Sequence, residues 1–111
     1  LERDKLSFLG YSNGANLLGA IMQLHPGVVT RALMLRGVQV LEEAPTADLA
    51  GAAVLMLNGA RDPFSRMAPA LEKALVTDGA QVDARTIEAG HELSPTDLTA
   101  GSEWLAAQGA S

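Results

Sequence analysis

The chain contains no cysteine, which removes disulfide frameworks, thiolate metal sites and thiol nucleophiles from consideration. The same lack suits a reducing compartment, and the expected location is the cytoplasm. Basic residues are scarce: eight Lys and Arg stand against thirteen Asp and Glu, for a net charge of −5. Nothing in the chain forms a basic run able to neutralise a phosphate backbone or an anionic membrane surface, so no nucleic-acid partner is expected. Long apolar runs are missing as well. Stretches such as Ala52 to Leu57 and Ala32 to Leu35 fall far short of the roughly 18–20 residues that span a bilayer. There is no internal repeat and no low-complexity linker. What is present is an ordinary globular mixture over 111 residues, 48% apolar and 19% charged, enough for one packed domain. The charged opening Leu1-Glu2-Arg3-Asp4-Lys5 has no initiator Met and reads as a cut end, so a leader peptide, if the parent has one, lies upstream.

The apolar pattern predicts seven elements in the order βαββαβα. Lys5 to Leu9 reads as a strand that stops at Gly10, Asn13 and Gly14. From Ala15 to Leu24 apolar residues cover nearly the whole circumference of a helix ended by Pro26-Gly27, which predicts burial on several sides. Arg31 to Gly37 and Ala52 to Leu57 are continuous apolar runs of the kind found in parallel strands covered on both faces. Between them, Val38 to Ala50 has no clean period and reads as a loop with one helical turn at most. Met67, Leu71, Ala74 and Leu75 then fall on one helical stripe, closed by Gly79 at C′ and starting between Ser65 and Ala68. Val82 to Ile87 alternates as a half-exposed strand near a sheet edge. Ser94 as N-cap and Pro95 at the first helical position open a last helix carrying Leu98, Trp104 and Leu105.

The turn after the first strand is Gly10-Tyr11-Ser12-Asn13-Gly14, a G-x-S-x-G between a strand and a helix, the context in which that motif presents a nucleophilic serine. Its glycines are expected to make room for a tight turn in which the serine backbone is strained and Oγ projects clear. A serine hydroxyl attacks a carbonyl only when a base takes its proton, and histidine oriented by a carboxylate is the usual arrangement. Of the two histidines, His25 ends the first helix about 18 Å along its axis from Ser12, where it meets the negative end of the helix dipole. His91 instead follows the fourth strand and shares with Ser12 the sheet edge where open α/β sheets place their sites. Asp62, in Gly59-Ala60-Arg61-Asp62-Pro63, leaves the third strand on that edge, and its Asp-Pro turn is suited to fixing the carboxylate. Asp97 is the nearest competitor, through its closeness in sequence to His91. Asp48, Asp78 and Asp83 leave no strand at the right edge.

Serine elbow, acid after a later strand and histidine after the last strand follow the α/β-hydrolase order Ser, Asp, His. The chain resembles that superfamily, and within it the phospholipase/carboxylesterase group of small serine esterases, in Gly10-Tyr11-Ser12-Asn13-Gly14-Ala15-Asn16, Gly59-Ala60-Arg61-Asp62-Pro63 and Gly90-His91-Glu92-Leu93. The resemblance implies Ser12 as nucleophile, His91 as general base and then acid, and Asp62 as the residue that orients His91. It also implies the Asn13 backbone N–H as one oxyanion-hole donor, with no metal and no organic cofactor. Residues 1–111 correspond to the C-terminal half of that fold, four parallel strands with flanking helices. The second oxyanion donor then lies upstream of Leu1, and its loss typically costs about 10²–10³ in turnover. The resemblance leaves lysophospholipids, acyl-thioesters, small aromatic esters and lactones open as substrates; a short-chain or aromatic carboxylic ester is the expectation, with the oligomeric state open. Two other readings stand beside it: a phosphate- or nucleotide-binding α/β domain built on a helix N-terminus, and a non-catalytic relative. Against the first, the chain has no G-x-G-x-x-G and no Lys after the glycines.

Overall fold

The computed structural model describes residues 6–42 and 46–110. Four strands form one parallel sheet in the order β1-β2-β3-β4: β1 (Phe8–Tyr11), β2 (Arg31–Leu35), β3 (Ala53–Gly59) and β4 (Gln81–Ile87). Three helices connect and cover them: α1 (Asn13–Leu24), α2 (Ala68–Thr77), entered through a short 3₁₀ turn at Ser65–Met67, and α3 (Pro95–Ala110). The predicted order βαββαβα is the observed one. Because side chains alternate across a strand, the continuous apolar runs of β2 and β3 feed two cores. Ala32, Met34, Val54 and Met56 pack with Leu18 and Met22 of α1 and Leu71 and Leu75 of α2. Leu33, Leu35, Leu55 and Leu57 turn to the opposite face and meet Trp104 of α3. This two-sided burial explains why those strands lack polar alternation. At the edge, β4 exposes Asp83, Ala84, Arg85 and Thr86 in succession, hence on both faces, so it is more exposed than the half-exposed strand that its alternation predicts.

Several boundaries differ from the sequence reading. The first strand begins at Phe8 and continues to Tyr11, beyond the predicted end at Leu9; Lys5 lies outside the described residues. Parallel pairing with β2 through Gly10↔Met34 and Tyr11↔Leu35 extends the strand into the glycine turn. Helix α1 is buried along one side only, on Ala15, Leu18, Gly19, Met22 and Gln23. Leu17 and Leu24 are exposed, because the sheet and α2 cover only the face of α1 turned toward them. Met67 is 42% exposed rather than part of the buried stripe, since α2 starts one residue later. Leu98 is likewise exposed, with Trp104 providing the main anchor of α3. No helical turn forms among the described residues of the loop from Val38 to Ala50; residues 43–45 of that stretch lie outside the description.

Candidate active site

The strands all run in one direction, so the residues that follow β1, β3 and β4 emerge along one rim of the sheet. Ser12 occupies the turn between β1 and α1 with φ 55° and ψ −113°, a backbone conformation unfavourable for any residue with a side chain. Its N–H donates to the Leu35 carbonyl at 2.8 Å, which secures the turn against the end of β2. A Cβ at Gly10 would lie 2.6 Å from the Gly14 carbonyl carbon and oxygen, so only glycine lets the chain fold back this closely. The reason expected for the second glycine does not hold here: a Cβ at Gly14 would meet nothing within 4 Å. Asn13 opens α1, where N–H groups have no intrahelical acceptor and face an incoming negative charge favourably.

Asp62 is three residues beyond β3. Its Oδ1 accepts the Phe64 N–H at 2.9 Å, closing the turn expected of Asp-Pro, and its Oδ2 lies 2.8 Å from His91 Nδ1. On the other side of the ring, His91 Nε2 lies 2.9 Å from Ser12 Oγ. An ionised carboxylate only accepts hydrogen bonds, so Nδ1 carries the proton toward Asp62 and Nε2 is free to accept from the serine hydroxyl. The structure therefore brings together all three side chains that the sequence analysis selects, separated by up to 79 positions along the chain. The backbones that carry them also meet closely. A Cβ at Gly59 would stand 2.3 Å from the Gly90 carbonyl oxygen and 2.6 Å from that of Ala89, and the Arg61 N–H donates to Ala89 at 3.0 Å.

Two rings flank the imidazole. Tyr11 lies 5.5 Å away between ring centroids and tilted, and Phe64 lies 5.7 Å away and edge-on. Ser12 and His91 open into a cleft of about 180 Å³ with Val38, Phe64 and Met67 among its walls. A larger groove of about 370 Å³ crosses β3, β4 and α3 but contains none of the three residues. Among the described residues no group of three or more His, Asp or Glu is placed to hold a metal ion. His25 is exposed at the far end of α1.

Asp97, the competing acid, is engaged elsewhere. Its carboxylate pairs with the Arg36 guanidinium through two bonds of 2.8 and 2.7 Å, both side chains being almost fully buried. It also accepts the Ser94 N–H at 2.8 Å and so closes the start of α3, with Ser94 in the capping place predicted for it. Arg36 escaped the sequence reading because it sits at the end of an apolar strand and looks like a solvated charge. Its positive φ of 61° is not legible in the letters.

Burial pushes the carboxyls of Asp62 and Asp97 up, but their partners outweigh it and hold both below the ordinary value. For Asp62 these are the Phe64 N–H, the His91 ring and, at longer range, Arg36; for Asp97 they are Arg36 and the Ser94 N–H and hydroxyl. A carboxyl depressed in the folded state stabilises it fully above the unfolded value of about 3.9 and loses that contribution as the pH falls through the folded value. Urea midpoints should accordingly be insensitive to these two groups between about pH 5 and 8 and fall steeply below about pH 4. A midpoint that held down to about pH 3 would contradict these assignments.

The parallel sheet, the strand-turn-helix carrying Ser12 and the loop carrying His91 are the architecture of the α/β-hydrolases of the carboxylesterase type. Among solved structures, the chain is similar to a carboxylesterase from Mesorhizobium loti, with 46% identity and a TM-score of 0.92 over 96% of this chain and 51% of that one. A protein of unknown function from Agrobacterium tumefaciens is 29% identical, with a TM-score of 0.82 over 92% of this chain and 51% of its own. The Bacillus cereus carboxylesterase, 24% identical with a TM-score of 0.90 over 97% and 52% of the two chains, shares the fold. The chain spans about half the length of these structures. No protein-family model and no curated protein matches it. No helix among the described residues is long and apolar enough to cross a membrane.

Proposed function

We propose that this chain carries the serine nucleophile, base and acid of a carboxylic ester hydrolase. The observation that supports the reading most directly is the continuous hydrogen-bonded series Ser12 Oγ, His91 Nε2, His91 Nδ1, Asp62 Oδ2, with contacts of 2.9 and 2.8 Å. In the proposed reaction Oγ adds to the ester carbonyl while its proton passes to Nε2, and Asp62 stabilises the imidazolium that forms. The carbonyl oxygen becomes an oxyanion, to which the Asn13 N–H at the start of α1 is one donor. Collapse breaks the C–O bond to the alcohol, which leaves with the proton held by His91, and an acyl group stays on Ser12. Water then repeats the sequence, releasing the acid and restoring the serine. The carbonyl carbon is not oxidised or reduced, so the residues present suffice for the proton transfers.

Short-chain or aromatic esters suit the cleft. Val38, Phe64 and Met67 supply an apolar wall beside Ser12 against which a short acyl chain or an aromatic ring can rest. The phosphate-binding alternative is disfavoured by the cation that lines the cleft. Arg36 has five N–H donors, and they are spent on Asp97 Oδ1 and Oδ2 and on the carbonyls of Leu57, Gly90 and Glu92. Arg36 therefore has no donor left for an anionic ligand.

The test is covalent labelling. A fluorophosphonate should react with the full-length protein at Ser12, identified by peptide mass, and should not react with the Ser12→Ala variant. Thermal stabilisation by a nucleotide without labelling would favour the alternative.

A further inference from the structure

A catalytic histidine on a loop has to be held, and the ring contacts alone do not hold the loop. The loop from β4 to α3 carries His91 between Gly90 and Glu92, outside regular secondary structure. Its three successive carbonyls, of Gly90, His91 and Glu92, accept hydrogen bonds from Arg36 Nε, Tyr11 Oη and Arg36 Nη2 respectively, each at 3.0 Å. One guanidinium thus grips the backbone on both sides of the histidine while the tyrosine next to Ser12 grips the histidine itself.

Arg36 can do this because it is itself fixed. Its left-handed backbone, φ 61°, ends β2 and turns the residue out of the strand. Its N–H donates to the Leu57 carbonyl at 2.9 Å and its Nη1 to the same carbonyl at 3.1 Å, tying it to the strand that leads to Asp62. Asp97 completes the anchor from the first turn of α3 through a two-point pairing, a geometry that lysine cannot reproduce. β2, β3, the His91 loop and α3 therefore converge on a single side chain that is only 3% exposed.

We propose that Arg36 is a positioning residue for His91, acting with Tyr11 to set the imidazole between Ser12 and Asp62 through the backbone carbonyls of residues 90–92. The inference rests on the esterase reading above and goes beyond it, because neither residue touches the reacting atoms. Misplacing a catalytic group by about 1 Å costs on the order of 100-fold in rate, while the apolar cleft walls Val38, Phe64 and Met67 lie on other segments and stay in place. The signature is a fall in kcat with little change in KM.

Arg36→Met combined with Asp97→Leu removes both buried charges together, so neither is left without a partner, a replacement that proteins commonly tolerate. In the full-length protein this pair is expected to lower kcat for a short aryl ester and the fluorophosphonate labelling rate of Ser12 by about tenfold or more, with KM changed by less than about twofold. Tyr11→Phe removes one hydroxyl without reshaping the turn and should lower kcat by about two- to fivefold, again at constant KM. If the double variant does not fold, Arg36→Lys decides: it keeps a cation beside Asp97 but cannot reach the Gly90 and Glu92 carbonyls together, and it should lower kcat at constant KM in the same way. Wild-type kcat and labelling rates in folded variants, with Ser12 still reactive, would overturn the positioning role and leave the esterase reading standing. Wild-type protein that is not labelled at Ser12 would overturn both.

Discussion

Ser12→Ala is expected to lower ester turnover by about 10⁴–10⁶-fold, or roughly 5–8 kcal/mol of transition-state stabilisation. The size follows from the proposed route, in which no other side chain forms the bond to the acyl carbon. Without Oγ, His91 has no hydroxyl to deprotonate and only direct attack by water is left. Alanine keeps the Cβ that the φ 55° backbone of residue 12 already tolerates, so the elbow should persist and the melting temperature should change little. Asp62→Asn is expected to cost on the order of 10⁴-fold by a different route. An amide at residue 62 can donate to Nδ1, which moves the ring proton to Nε2 and removes the acceptor that Ser12 needs. Steady-state kinetics on a short aryl ester measure both effects, and a Ser12→Ala protein with wild-type turnover would remove the acyl-enzyme route from consideration.

A single added methyl outside these three residues should also be harmful, though by less. At Gly59 the new Cβ would stand 2.3 Å from the Gly90 carbonyl oxygen, and both partners are backbone, so no flexible side chain is available to swing aside. The end of β3 and the His91 loop have to separate by about 1 Å, which predicts a loss of roughly 10²-fold in kcat together with about 1–3 kcal/mol of stability. Asp62 and His91 sit on opposite sides of that contact, so separation stretches the 2.8 Å bond between them. Kinetics and urea unfolding of Gly59→Ala test the two parts separately. Unchanged turnover would mean that the two segments close up again by another path.

The sheet was legible because burial on both faces leaves a simple trace, runs such as Ala32 to Leu35 and Ala52 to Leu57 without polar interruption. The candidate residues were legible for a related reason. Strand direction alone brings everything that follows a parallel strand to one rim, so Ser12, Asp62 and His91 could be chosen by position before any distance was known. Exposure was less readable. Leu17, Leu24 and Leu98 look like core residues by type, yet the sheet and helices described here do not reach them. Arg36 was the least readable, because a charged residue after an apolar strand predicts solvent, and only the meeting of β3, the His91 loop and α3 supplies it with five acceptors. Asp97 shows the converse: its closeness to His91 in sequence suggested an orienting acid, whereas its oxygens complete the Arg36 anchor.

The manner in which the His91 loop is held bears on how freely this region can change in evolution. Carbonyl oxygens are common to all amino acids, so a grip on the main chain is indifferent to the side chain it passes. Glu92 is exposed and takes part through its carbonyl, which leaves its side chain open to drift in charge and size. The side chain at that position can change while the imidazole stays in register, much as a hinge pin permits a new door to be hung on an old frame.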